Sequence, residues 1–250
     1  MNYLQEFQFK SVISMNKKVI AGIVVMLAVV FSISFAISSH YIQNNSISAS
    51  AASSSGNGVL GSNELGYVVK EGPYGNKDSA VKIAYITGVH PLESESHKAI
   101  LETIETKNKS LKYCYYVYKI VVTKDASDYD KGRMNGQLLA NKYVVPDIKS
   151  QNFNLAVDVH SNRGNYQETR FIFAPQDEEG SKSIALAIKD KIPWMVYYNP
   201  PSQTSPQYVT IPLIKAGIPA VVYETYINDP YAFTKEHADE FVLAVDNLKL

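Results

Sequence analysis

Two short segments of this chain hold residues that together could bind a metal ion: Gly88–Glu93 reads GVHPLE and Asp158–Asn162 reads DVHSN. A catalytic zinc ion takes three protein ligands from histidine nitrogen and carboxylate oxygen and leaves a fourth position to water. His90 and Glu93 are three residues apart, so one turn can aim both at a single ion, and Pro91 between them favours a turn over a continued strand. His160, at the end of the apolar run Asn154–Val159, is the third candidate ligand. A lone His-x-x-Glu is a weak signal, and two surface histidines in loops would read the same way.

A fourth residue strengthens the reading. The run Ile218-Pro-Ala-Val-Val-Tyr-Glu224 has the pattern of a buried strand with a carboxylate at its exit, where an unpaired charge is costly. A general base beside zinc-activated water gives Glu224 a reason to be there; a solvated strand end is the bland alternative. Strands are expected at Gly66–Val69, Val81–Thr87, Tyr113–Val122, Asn154–His160, Arg170–Ala174, Trp194–Tyr198 and Ala220–Glu224. Helices are expected at Glu93–Lys107, Lys131–Tyr143, Ser181–Lys191, Tyr208–Ala216 and Thr234–Lys249. This alternation points to an α/β domain, a three-layer sandwich with a mixed, largely parallel central sheet. In such sheets ligands bind at the carboxyl ends of strands, where His90, His160 and Glu224 all fall.

Over Val81–Thr225 the order of these motifs resembles the zinc carboxypeptidase superfamily, and within it the succinylglutamate desuccinylase/aspartoacylase-like branch. The resemblance implies that His90, Glu93 and His160 hold Zn²⁺ and that Glu224 is the catalytic carboxylate. It implies two further roles in the segment Asp130–Lys142: Arg133 would polarise the scissile carbonyl, and Asn141-Lys142 would stand where the family grips a substrate carboxylate with Asn-Arg. Lysine there is a departure, because arginine offers a planar fork and lysine a point charge. An amphipathic helix with solvated cations accounts equally well for Arg133 and Lys142.

Arginine usage bears on the same region. The chain has three arginines, Arg133, Arg163 and Arg170, among 24 basic residues, and all three lie around the expected site. Arg163, just after His160, could contact substrate or pair with Glu168. Asp158, two residues before His160 on the same strand face, could accept the second ring N–H of that histidine. His97 reads as a solvent-facing helix residue and His237 as surface. The single cysteine, Cys114, excludes an intramolecular disulfide and reads as a buried thiol. Net charge is zero with no basic tract, so nucleic acid is not expected as a partner.

The N-terminal part sets an expected compartment. Residues 1–18 form a short tail ending in Lys17-Lys18, and Val19–Ser39 carries no charge, long enough to span a bilayer. The lysine bias places the tail in the cytoplasm, so the expected arrangement is a single-pass signal anchor at 19–39, a Ser/Asn/Ala-rich linker at 40–63 and an extracytoplasmic hydrolase domain at 64–250. Secretion after signal cleavage is the alternative. The expected substrate is a peptide or cell-wall peptide cut at an amide bond. The rival readings are a deacylase of N-acyl amino acids and a non-catalytic binding module on the same fold.

Overall fold

The computed structural model describes residues 58–250. The expected tail, membrane segment and most of the linker lie outside the described residues, and among the described residues no helix is long and apolar enough to cross a membrane.

The strands are β1 (Gly58–Asn63), β2 (Gly66–Gly75), β3 (Lys82–Thr87), β4 (Cys114–Val122), β5 (Leu155–Asn162), β6 (Phe171–Phe173), β7 (Val196–Tyr197) and β8 (Ala220–Tyr226). They form one eight-stranded sheet in the order β1-β2-β4-β3-β5-β8-β6-β7. The central block β4-β3-β5-β8 is parallel throughout. Antiparallel pairing joins β2 to β4, β1 to β2 and β6 to β8, and β7 at the far edge pairs parallel with β6, so the sheet is mixed and its continuous parallel block is the one that carries the site. β1 corrects the linker boundary: Gly58–Asn63, expected to be tether, pairs with β2 as an edge strand. Its six residues lack a clean apolar alternation, and the pairing comes from the neighbouring backbone.

Period-two alternation makes the sheet two-faced. On β3, Ile83 and Tyr85 enter one core with Val157 and Val159 of β5, while Ala84 and Ile86 enter the other with Ala156. Helices α1 (Ser94–Lys107), α4 (Ser181–Lys189) and α7 (Tyr231–Asp246) cover the first face through residues such as Ile100, Ile188 and Phe241. The second face is covered by α2 (Tyr129–Leu139), the π-helical turn Ala140–Val144, α3 (Val145–Lys149) and α6 (Thr210–Ile214). A short helix α5 (Ser205–Tyr208) precedes α6. This is the three-layer sandwich expected from the alternation of elements.

His237 departs from expectation. It is 3 % exposed, its ring stacked 3.7 Å from that of Trp194 and 4.0 Å from Phe233. It sits one turn before Phe241 on the inner face of α7, and the loop carrying Trp194 closes over it. Burial pushes its imidazole below the usual range.

Two glycines fix the entry to the site. Gly88 follows β3 at φ +82°, and a Cβ there would lie 2.0 Å from the Ile120 carbonyl oxygen. Gly136 in α2 meets the Val89 carbonyl equally closely, at 2.0 Å from its absent Cβ, so α2 rests directly on the backbone that leads into His90.

Candidate metal centre

The turn after β3 forms as Pro91 predicts. The Glu93 N–H donates to the His90 carbonyl at 3.1 Å, a turn with proline in its second position. Glu93 is the N-cap of α1 but makes no side-chain cap. Its carboxylate instead faces the sheet edge, where β5 delivers His160. Glu93 Oε1 lies 2.9 Å from His90 Nδ1, and Oε2 lies 2.9 Å from His160 Nδ1. The Ser161 N–H donates to Oε2 at 3.0 Å, and Arg133 Nη1 donates to Oε1 at 2.7 Å. One ligand atom from each of His90, Glu93 and His160 falls within 4.8 Å of the others, and all three residues are buried.

The buried groups of this cluster hold one another in shifted charge states. Burial raises Glu93, but the two imidazoles and their hydrogen bonds outweigh it and hold the carboxyl well below the usual range. Burial likewise opposes charge on His160, yet the Asp158 and Glu93 carboxylates hold that imidazole well above its ordinary value. For His90 burial dominates and pushes it down to about 4. The His160 ring stands between the Asp158 and Glu93 carboxylates, and the atoms that meet at the sheet edge are Nδ1 of His90, Nδ1 of His160 and the Glu93 oxygens. That donor set, two imidazoles and a carboxylate, suits zinc. Behind the ring of His160, Nε2 lies 3.0 Å from Asp158 Oδ2, which fixes Nε2–H and leaves Nδ1 as the donor atom, as expected of Asp158 from the sequence.

Glu224 stands beside His160 in the parallel register of β5 and β8. It is 5 % exposed, and burial, with Glu93 adding to it, pushes its carboxyl up to about 8 against the opposing pull of His160, Asn162 and Arg133. It lines a cleft with His90, Glu93, Arg133, Asn162, Arg163 and Tyr166, enclosing about 20 Å³, room for a single water. A wider apolar groove of about 650 Å³ shares Leu92 and runs past Pro91, Leu101 and Ile120. Its imidazole, His97, is half-buried and not solvent-facing: Nε2 lies 3.1 Å from the Val159 carbonyl, because the N-terminal turn of α1 packs against β5. The chemistry belongs to the small cleft.

The remaining expected residues divide. Arg133 and Arg163 reach the cleft, and both guanidinium groups lie over the Tyr129 ring, at 5.0 and 4.4 Å from its centroid. Arg170 is instead engaged with both oxygens of Asp229. Asn141 and Lys142 do not line the cleft. They lie in the π-helical turn, both exposed, with Asn141 Nδ2 donating to the Tyr208 carbonyl at 2.8 Å and Lys142 over the Tyr143 ring. Eight residues beyond Arg133 along helical backbone amounts to roughly 12 Å, which carries them past the end of the site.

Asn162 is the residue that the sequence reading passed over. β5 runs two residues further than expected, and Asn162 Nδ2 donates to the Thr169 and Thr225 carbonyls at 2.9 Å and lies 3.4 Å from Glu224 Oε2. It locks the loop after β5 to β8 beside the buried carboxylate.

No protein-family profile matches the chain, and no curated protein matches it. Solved structures do. The apo cell shape determinant Csd4 of Helicobacter pylori superposes with a TM-score of 0.53 at 13 % identity, covering 71 % of this chain and 53 % of that one. The meso-diaminopimelate-bound form of Csd4, described as a D,L-carboxypeptidase, gives a TM-score of 0.51 at 12 % identity, over 70 % of this chain and 53 % of that one. A metallo-carboxypeptidase of Pseudomonas aeruginosa gives 0.52 at 11 % identity, over 76 % and 62 %. The chain therefore spans little more than half the length of these structures. At these identities the likeness concerns the fold alone, an α/β sheet arrangement that this domain shares with those structures.

Proposed function

We propose that this chain is a zinc-dependent hydrolase that cleaves an amide bond in a peptide or cell-wall peptide, held outside the cytoplasm by its N-terminal segment. The observation that carries the reading is the convergence of His90 Nδ1, His160 Nδ1 and Glu93 at the wall of a cleft that holds the buried carboxyl of Glu224. Zinc bound by those three residues supplies Lewis acidity and lowers the pKa of water.

The protein's own groups do the rest. Glu224, ionised when a bound zinc offsets the burial that otherwise keeps it protonated, takes the proton of the attacking water and returns it to the leaving nitrogen. Arg133 stands at the cleft wall with its guanidinium on Glu93. Swinging from that carboxylate to the carbonyl oxygen, it stabilises the developing oxyanion. Arg163, exposed and stacked on Tyr129, is placed to take a substrate carboxylate.

Peptide substrate is favoured by the neighbours of like fold, one bound to tripeptide and another to meso-diaminopimelate. Export is favoured by the uncharged stretch Val19–Ser39 behind Lys17-Lys18. The test is metal analysis of the purified domain followed by digestion of a panel of peptides, stem-type cell-wall peptides and N-acyl amino acids. Release of a residue from a peptide, lost in His160→Ala together with the zinc, supports the proposal. Turnover of N-acyl amino acids alone moves the assignment to deacylation, and no turnover with stoichiometric zinc leaves a binding module.

A further inference from the structure

The two ligand histidines are on different segments, yet the backs of both rings lead to adjacent residues of a third. Ser205 Oγ lies 2.9 Å from Asp158 Oδ2 and 3.0 Å from His160 Nε2. Its neighbour Thr204 places Oγ1 3.0 Å from Gln137 Nε2, and the Gln137 amide in turn sits 3.1 Å from His90 Nε2. Ser205, Gln137 and Asp158 are 4 %, 1 % and 0 % exposed, so solvent does not replace the contacts among Ser205, Asp158 and His160 or between Gln137 and His90, while Thr204 lies at the exposed end of the chain of contacts.

We propose that Gln137 and the Thr204-Ser205 dipeptide are positioning residues that hold both imidazoles with Nδ1 toward the metal and Nε2–H toward the protein. The inference rests on the metal-site reading above. The serine hydroxyl donates to Asp158 Oδ2 and keeps that carboxylate aimed at His160 Nε2–H. On the other side the Gln137 amide has two faces. With its nitrogen toward the ring, as observed, it donates to His90 Nε2, and His90 Nδ1–H then donates to Glu93. The Gln137 oxygen in that arrangement is buried without a partner. With the amide turned over, the oxygen accepts His90 Nε2–H, His90 Nδ1 is freed as a ligand, and the Thr204 hydroxyl reverses from acceptor to donor. A glutamine backed by a hydroxyl can serve both states, because each group has a donor and an acceptor.

Ser205 admits a rival role as a nucleophile, since Ser205 Oγ, His160 and Glu93 lie in a line of hydrogen bonds. The geometry speaks against it: Ser205 is buried, does not line the cleft and is held by Asp158.

The test uses the full chain in detergent, with zinc affinity measured by chelator competition and metal-free melting temperature measured alongside. Ser205→Ala and Gln137→Leu are expected to weaken zinc by the 10- to 100-fold typical of lost outer-shell partners, with Gln137→Glu, which keeps an acceptor behind His90, restoring wild-type affinity or better. Long-range ¹⁵N–¹H correlation of the zinc-loaded wild type should show His90 and His160 both protonated at Nε2. Unchanged affinity in Ser205→Ala and Gln137→Leu, or Nδ1–H on either histidine, overturns the inference while leaving the metal site standing. Variants that lose metal-free melting temperature but keep zinc affinity also overturn it, since that is packing alone. A wild type that binds no zinc refutes the functional reading itself.

Discussion

Glu224→Gln separates the electrostatics of the buried carboxyl from its chemistry. Burial holds this group at about 8 against the ordinary glutamate value of 4.5. Below pH 4.5 it is protonated whether the chain is folded or unfolded, and it contributes no pH dependence. Between pH 4.5 and 8 the unfolded chain ionises while the folded one stays protonated, so the wild type loses stability as pH rises, and above 8 the loss levels off. At 1.36 kcal/mol for each pH decade, that interval is worth on the order of 3–5 kcal/mol, or roughly 6–20 °C of melting temperature for a domain of this size. Glutamine has the shape of the protonated acid, can still accept from Asn162, and does not ionise. The metal-free variant should therefore melt with the wild type at pH 4 and progressively above it toward pH 8, read by circular dichroism in the presence of a chelator. The zinc-loaded variant should keep its metal and lose about 10²- to 10⁴-fold in turnover. Parallel melting curves for the two proteins from pH 4 to 8 would refute the burial argument. Wild-type turnover in the variant would refute the role of Glu224 as base.

Arg163→Ala should raise KM with little change in kcat if the side chain grips a substrate carboxylate, whereas Arg133→Lys should lower kcat, because a point charge replaces the donor fork at the carbonyl; steady-state kinetics on the same peptide decides between them. Gly136→Ala should destabilise the domain by roughly 2–3 kcal/mol in urea, against the 0.5–1 kcal/mol gain usual for this change inside a helix, because the new methyl meets the Val89 carbonyl. A stabilised Gly136→Ala would show that α2 does not rest on the His90 turn. The full-length protein should stay with membranes after a high-salt wash, and its recovery in the soluble fraction would favour cleavage of the segment 19–39.

Much of this site is legible because its residues sit where strand and turn patterns end. His90, Glu93, His160 and Glu224 follow apolar runs with the pattern of buried strands, and the parallel order β3-β5-β8 brings their ends together. Asp158 follows from the two-residue alternation of β5, and Arg133 from the resemblance in motif order. Asn141-Lys142 takes its place from the order of the motifs alone, and the rise of eight helical residues carries the pair past the cleft. His237 was misplaced because polar neighbours at Glu236 and Asp239 suggested an outer face, whereas the aromatic covering comes from Trp194, more than 40 residues away.

The groups behind the histidines show a different limit. Gln137, Thr204 and Ser205 are polar residues of types that occur on any surface, and the burial of Gln137 and Ser205 arises from the crossing of α2 and the start of α5 over the end of β5. Their role depends on which ring nitrogen each ligand histidine turns inward, a choice made by tertiary contacts at about 3 Å. Primary ligands are constrained to a few residue types by the chemistry of the ion, and so they leave a signature. The residues that orient them need only present a hydrogen-bond donor or acceptor in one place, which many side chains can do, and a sequence records that requirement only through the fold that satisfies it.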